Sequence, residues 1–144
     1  MRKFFDTNVF LYAFLNQGDA KKEVAAKLIA QAVRDGDGWI STQVIREFIN
    51  VMLKKSTRTI EDIKKTYSVF GCFKVVEDTL PLTYRGLEIK EKYGTQYFDS
   101  LILASAEKGL CEILYSEDFN DGQVYCGVKA VNPFPPHSLP IDMA

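Results

Sequence analysis

The sequence predicts an α/β domain with a mainly parallel central sheet. Three observations carry this expectation. Short apolar runs alternate with stretches of helical length and helical periodicity along most of the 144 residues. The first run, Lys3–Asp6, ends on a carboxylate and passes at once into a helical pattern. No internal repeat, low-complexity block or linker interrupts residues 1–134, which read as a single domain ahead of a proline-rich tail, 135–144.

Taken in order, the strand Lys3–Asp6 feeds a helix over Asn8–Asn16. In Lys21–Arg34, the residues Val24, Ala25, Leu28, Ile29, Ala32 and Val33 recur at helical spacing, and Gly36 and Gly38 stop that helix. Trp39–Ser41 is a short strand leading into a helix from Thr42 to Lys54. Thr59 and Asp62 form the pattern of a capping box ahead of a helix over Ile60–Phe70. Phe73–Glu77 is strand-like, and Thr79 with Pro81 opens a helix that ends near Tyr93-Gly94. Gln96–Lys108 is the most apolar helix, and Cys111–Tyr115, Val124–Cys126 and Lys129–Val131 complete the set as strands.

Composition narrows the chemistry. With 47% hydrophobic and 26% charged residues, the chain is an ordinary globular one. No apolar run approaches the ~20 residues that a membrane helix needs. Met1-Arg2-Lys3 does not open a signal peptide, so a cytoplasmic protein is expected. Cys72, Cys111 and Cys126 are odd in number and set in apolar segments, which predicts buried reduced thiols over a disulfide or zinc site. A formal net charge of −1 exerts no global pull on nucleic acid, so any such contact must be local. The single histidine, His137, lies in the proline-rich tail. Ser–His, Cys–His and His-rich zinc chemistry therefore have little to build on, whereas carboxylates with a hard cation remain.

Four acids stand in unusual places. Asp6 ends the first strand, where ligands of open α/β sheets collect, although an Asp there could also simply cap the following helix. Glu47 shares one edge of its helix with Val44 and Val51, at the border of the buried stripe. A boundary glutamate paired with lysine or arginine is the plain alternative. Asp99 opens a helix that is apolar nearly all round, where an unpaired charge costs several kcal/mol and the helix dipole returns only ~0.3–1 kcal/mol. It needs a partner, and an internal salt bridge would serve. Asp118 follows a strand, as Asp6 does, with Glu117, Asn120, Asp121 and Gly122 beside it, so a turn-forming role competes. If the four converge at ~5 Å, each pair repels by roughly 3 kcal/mol at an effective dielectric near ~20. Mg²⁺ or Mn²⁺ would make such a cluster tolerable and leave sites for substrate oxygens.

The order Phe5-Asp6-Thr7-Asn8-Val9-Phe10, a helix containing Glu47, Tyr97-Phe98-Asp99-Ser100-Leu101-Ile102 and Ser116-Glu117-Asp118-Phe119 resembles the PIN-domain ribonucleases. The likeness is to the small toxins of VapC-type toxin–antitoxin pairs. It runs from residue 3 to about Phe134, with Val131-Asn132-Pro133-Phe134 resembling the family's last strand and exit. The resemblance implies a three-layer α/β/α fold, a homodimer, a cognate antitoxin, and Mg²⁺- or Mn²⁺-dependent cleavage of RNA phosphodiesters. It places Asp6, Glu47, Asp99 and Asp118 as catalytic and metal-binding acids, with Thr7, Asn8 and Ser116 in support. Glu117 or Asp121 could stand in for the fourth acid. Arg46, Lys54, Lys55 and Arg58 are candidate contacts to the RNA backbone, with Lys64 and Lys65 adding to the same basic cluster and a solvated helix surface as the alternative.

Two other readings stay open. An apolar strand ending in Asp also opens phosphatases of the haloacid-dehalogenase type, but there the second residue onward is usually Asp, and here it is Asn8. A PIN-like domain that only binds RNA or protein is the non-enzymatic reading. The helix Asn8–Asn16 carries Val9, Phe10, Leu11, Tyr12, Phe14 and Leu15, more than one face can bury. That excess predicts a dimer or antitoxin surface, with complete burial as the alternative.

Overall fold

The computed structural model describes residues 1–15, 19–55 and 57–134. The elements run β1 (Lys3–Phe5), α1 (Thr7–Phe14), α2 (Asp19–Asp35), β2 (Gly38–Ser41), α3 (Thr42–Lys55), α4 (Ile60–Tyr67), β3 (Lys74–Val76), α5 (Leu80–Tyr93), α6 (Tyr97–Lys108), β4 (Ile113–Tyr115), β5 (Val124–Tyr125) and β6 (Val128–Val131). The six strands form one sheet in the order β3-β2-β1-β4-β6-β5, parallel throughout except for the hairpin β5–β6. Helices α1, α2 and α3 pack together, as do α5 and α6, and the sheet lies between as the middle of three layers.

This order fixes where a ligand can sit. From β1 the chain first builds outward to β2 and β3, and later to β4 on the opposite side. The carboxyl ends of β1 and β4 therefore flank a topological switch point, where a crevice must open. Asp6 leaves β1 at that point and Ser116 leaves β4, with the Asp6 amide donating to the Tyr115 carbonyl at 3.0 Å.

Aromatic packing holds β1 and α1 rigidly behind the crevice. Phe10 meets Phe70 and Phe73 edge-on at 5.1 and 5.3 Å, and Phe5 meets Phe73 at 5.4 Å. Fully burying each such ring is worth ~1.5–3 kcal/mol. On the other layer, Gly86 lets α5 close on α6, since a Cβ there would lie 2.8 Å from a Leu101 methyl. Arg85 clamps the same pair with two 2.8 Å bonds to Glu107.

Several boundaries differ from the sequence expectations. The predicted helix Ile60–Phe70 is α-helical only to Tyr67 and tightens into a 3-10 turn over Ser68–Cys72. The Ser68 hydroxyl donates to the Lys65 carbonyl at 2.7 Å, which competes with continuation of the α-helix. That turn sends Phe70 and Phe73 inward and leaves Cys72 exposed, so the expectation of three buried thiols holds for Cys111 but not for Cys72, and Cys126 is half-buried. The strand predicted from Cys111 begins at Ile113, because Leu110 adopts φ 56° and the Cys111 amide still bonds the Ala106 carbonyl of α6. The predicted capping box of Thr59 and Asp62 is present with both reciprocal bonds.

Most of the apolar excess on the first helix is taken up within the chain, while Phe14 stays half-buried at an apolar hollow that it lines with α2 residues. Val9, Phe10, Leu11 and Tyr12 of α1 are all buried within this one chain, against α2, α3 and the sheet. The end of that predicted helix at Asn16, His137 and the tail 135–144 lie outside the described residues. Among the described residues no helix is long and apolar enough to cross a membrane.

Candidate active site

Each of the four acids reaches the crevice from a different element. Asp6 follows β1 and occupies the N-cap of α1, accepting the Thr7 amide at 2.7 Å. Its other carboxylate oxygen accepts the Ser116 hydroxyl at 2.7 Å. The capping alternative is thus correct as far as it goes, but it satisfies only one oxygen of a side chain that is 4% exposed. Glu47 lies on α3 and accepts the Thr7 hydroxyl at 3.2 Å. Asp99 stands in the first turn of α6, its amide capped by the Gln96 side chain. Asp118 sits in the loop after β4, where its amide bonds Ser116 Oγ at 3.1 Å.

These acids, with Asn8, Gln43, Gln96, Phe98, Ile102 and Glu117, line one cavity of about 390 Å³. The salt bridges that would have given each acid a structural role are missing among the described residues. Arg46 turns away from its neighbour Glu47 to pair with Asp78 at 2.6 Å, and no lysine or arginine pairs with Asp6, Glu47, Asp99 or Asp118.

Electrostatics follow from that crowding. Burial pushes Asp6 up to about 6, against the opposing bonds from Ser116 and Thr7, with Glu47 and Asp99 raising it further. Burial and the charge of Asp118 put Asp99 at about 6. Asp118 rises to about 7 through burial, the nearby Asp6 and Glu117, and a hydrogen bond shared with the Asp6 carboxyl. Glu47 is raised as well, mainly by burial. Paired carboxylates held this way gather protons near neutrality unless a cation replaces them.

The donor set suits a hard divalent ion. It is all oxygen, and the cavity also holds the side-chain oxygens Asn8 Oδ1 and Gln43 Oε1, both buried and without a hydrogen-bond partner among the described residues. No group of three or more His, Cys, Asp or Glu side chains among those residues is arranged to hold an ion unaided. The acids surround a space instead of forming a closed cage. Mg²⁺ tolerates this, because it keeps several waters and is commonly held by one or two carboxylates.

The two alternative fourth acids part company. Glu117 borders the cavity, but its oxygens are taken: Lys21 Nζ donates to one at 2.9 Å and the Tyr12 hydroxyl to the other at 2.6 Å. Lys21 also donates to the Tyr12 hydroxyl at 2.8 Å and lies 4.5 Å from that ring's centroid, itself only 2% exposed. Asp121 points elsewhere and caps the Asn132 amide at 2.9 Å. Asn8 Nδ2 reaches Asp118 at 3.5 Å, the outer limit of a hydrogen bond.

Sequence reasoning missed Lys21, Gln43, Gln96 and Phe98. Lys21 sits in a helix whose charges look solvated, and nothing local marks it as buried. Gln43 ties α3 to α6 by donating to the Phe98 carbonyl at 3.1 Å, a long-range contact without a sequence signature. Gln96 carried no signal either, because glutamine is not among the residue types favoured at an N-cap, although its side chain caps α6 here. Of the basic candidates, Arg46 borders a neighbouring hollow. Lys54 lies seven residues beyond Glu47, ~10 Å along the helix, and neither it, Lys55 nor Arg58 lines the cavity.

The sequence matches the family model described as PIN domain over residues 3–121. No curated protein matches it. Among solved structures, the fold is similar to a toxin–antitoxin complex from Klebsiella pneumoniae, with a TM-score of 0.67 at 22% identity over 92% of this chain and 98% of that one. It is similar to VapC20 of Mycobacterium tuberculosis, a sarcin–ricin-loop-cleaving toxin, with a TM-score of 0.66 at 17% identity over 82% and 91% of the two chains. VapBC2 from Rickettsia felis, bound to a DNA fragment of its promoter, gives 0.62 at 16% identity over 90% and 97%. At such identities the likeness is one of fold.

Proposed function

Because the chain belongs to the PIN-domain family, we propose that it is a metal-dependent endoribonuclease that hydrolyses RNA phosphodiester bonds. The observation that carries this reading is the convergence of Asp6, Glu47, Asp99 and Asp118 on one cavity with no described cation paired to them. Asp6 and Asp99 are the core ligands for Mg²⁺ or Mn²⁺, and Glu47 and Asp118 complete the site or orient water. A bound divalent ion would supply Lewis-acid stabilisation of phosphate charge and acidify water.

The remaining roles belong to the chain itself. Thr7 and Ser116 hold Glu47 and Asp6 in place by the bonds described above. Asn8 offers an amide to Asp118 and an unpartnered oxygen to the cavity. Glu117 serves as a tether to Lys21 and Tyr12, and Asp121 as a cap, so Asp118 is the fourth acid. Arg46 is the nearest basic contact for RNA, with Lys54, Lys55 and Arg58 reaching only RNA that extends past the cavity.

The fold's likeness to toxins of toxin–antitoxin pairs supports a role as a toxin silenced by a cognate antitoxin, and a cytoplasmic homodimer is part of the same proposal. Incubation of the full chain with structured and unstructured RNA, with Mg²⁺ or EDTA, tests the activity. Cleavage should need the metal and vanish in Asp6→Asn and Asp99→Asn variants that remain folded. Full cleavage in EDTA would overturn the reading.

A further inference from the structure

A second hollow, about 420 Å³ in volume, adjoins the acid cavity, and Gln43, Glu47 and Phe98 line both. Its character is different. Leu101 and Phe98 make it largely apolar, Thr83 and Arg46 stand at its border, and among the described residues Arg46 is held by Asp78 at 2.6 Å. Phe98 is 58% exposed although it directly precedes Asp99. Its ring meets Tyr97 edge-on at 5.6 Å and otherwise lies largely in solvent beside the carboxylate cluster. Gln43 adds a polar element: Oε1 is buried without a hydrogen-bond partner, while Nε2 is committed to the Phe98 carbonyl.

We propose that this hollow is a base-binding subsite in which the face of Phe98 stacks on one unstacked nucleobase of single-stranded RNA. The proposal rests on the nuclease reading above and deepens it. Stacking on an aromatic face is how proteins commonly hold splayed-out bases, and it tolerates different sequences because every base has a π-face. Continuity with the acid cavity places the phosphate next to that base among the acids. Arg46, at the border of the hollow, offers its charge to the flanking phosphate.

The test uses the full chain with Mg²⁺ and a short single-stranded oligoribonucleotide that the wild type cleaves. A series of the same oligonucleotide carries one abasic ribose at each position around the cut. Phe98→Ala should lower kcat/KM roughly 10- to 100-fold, mainly through KM, and Phe98→Tyr should restore it. One abasic position should cost the wild type the same factor and cost Phe98→Ala nothing further, because the two changes delete the same contact. A Phe98→Ala enzyme within twofold of wild type overturns the subsite and leaves the nuclease intact. So does a loss that simply adds to that of every abasic substrate, or one confined to binding of a protein partner. If the wild type cleaves no RNA with metal present, the nuclease reading fails, and the subsite with it.

Discussion

Lys21 Nζ lies 2.9 Å from Glu117 Oε2, with both side chains nearly buried, and so joins α2 to the loop that carries Asp118. Removing one member of a buried pair strands the other charge. Lys21→Met should therefore cost ~3–5 kcal/mol in urea unfolding. The double variant Lys21→Met, Glu117→Gln should cost clearly less than the sum of the two single changes. Additive losses would show that the pair is not energetically coupled.

Asp6, Asp99 and Asp118 all lie above the 3.8 of a free aspartate in the folded chain. Below about pH 4 both states hold these protons, so stability is complete there. As pH rises toward about 7 the unfolded chain releases them first, and metal-free stability falls before levelling off. Asp6 alone accounts for ~2–3 kcal/mol of that decline. Chemical denaturation at several pH values in EDTA should show the fall, and Asp6→Asn should flatten it. A stability that rises over this interval would contradict the burial and mutual repulsion that hold these protons on the acids.

Mg²⁺ or Mn²⁺ should reverse that loss. A ligand bound only by the folded state adds ~2.7 kcal/mol at 100 times its dissociation constant. Thermal unfolding above pH 7 should shift upward by several degrees with millimolar metal. Asp6→Asn or Asp99→Asn should abolish most of the shift, whereas Asp121→Asn, whose side chain only caps Asn132, should leave it in place.

Leu110 adopts φ 56° just after α6 and is exposed. A branched residue pays ~1–2 kcal/mol for that conformation, and glycine does not. Leu110→Gly should raise stability by ~0.5–1 kcal/mol, net of glycine's greater freedom when unfolded, with activity unchanged. A loss of stability would mean that the leucine side chain makes a contact worth more than the strain.

Elements governed by neighbours in the chain were legible in advance. Asp6 at a strand end, the Thr59–Asp62 box and the alternation behind the parallel sheet all follow local rules, and the structure reproduces them. The acids could be picked out one by one, because each interrupts an apolar pattern. What separates Glu117 from Asp118 was not legible, since both are acids in one loop and only Lys21 and Tyr12, 96 and 105 positions away, distinguish them. The choice between an exposed and a buried α1 stayed open for the same reason: how far an apolar helix is covered depends on α2 and α3, and no residue within α1 records their presence.

The Ser116 hydroxyl gives its hydrogen to Asp6 and receives one from the Asp118 amide, stitching two walls of the crevice with a single atom. Those walls consequently respond as one mechanical piece. Lengthening the loop past Ser116, or straining it through a neighbour, would alter how tightly Asp6 holds its proton without touching that residue. Retuning this crevice by loop exchange thus means replacing both walls together, with the serine kept as their hinge pin.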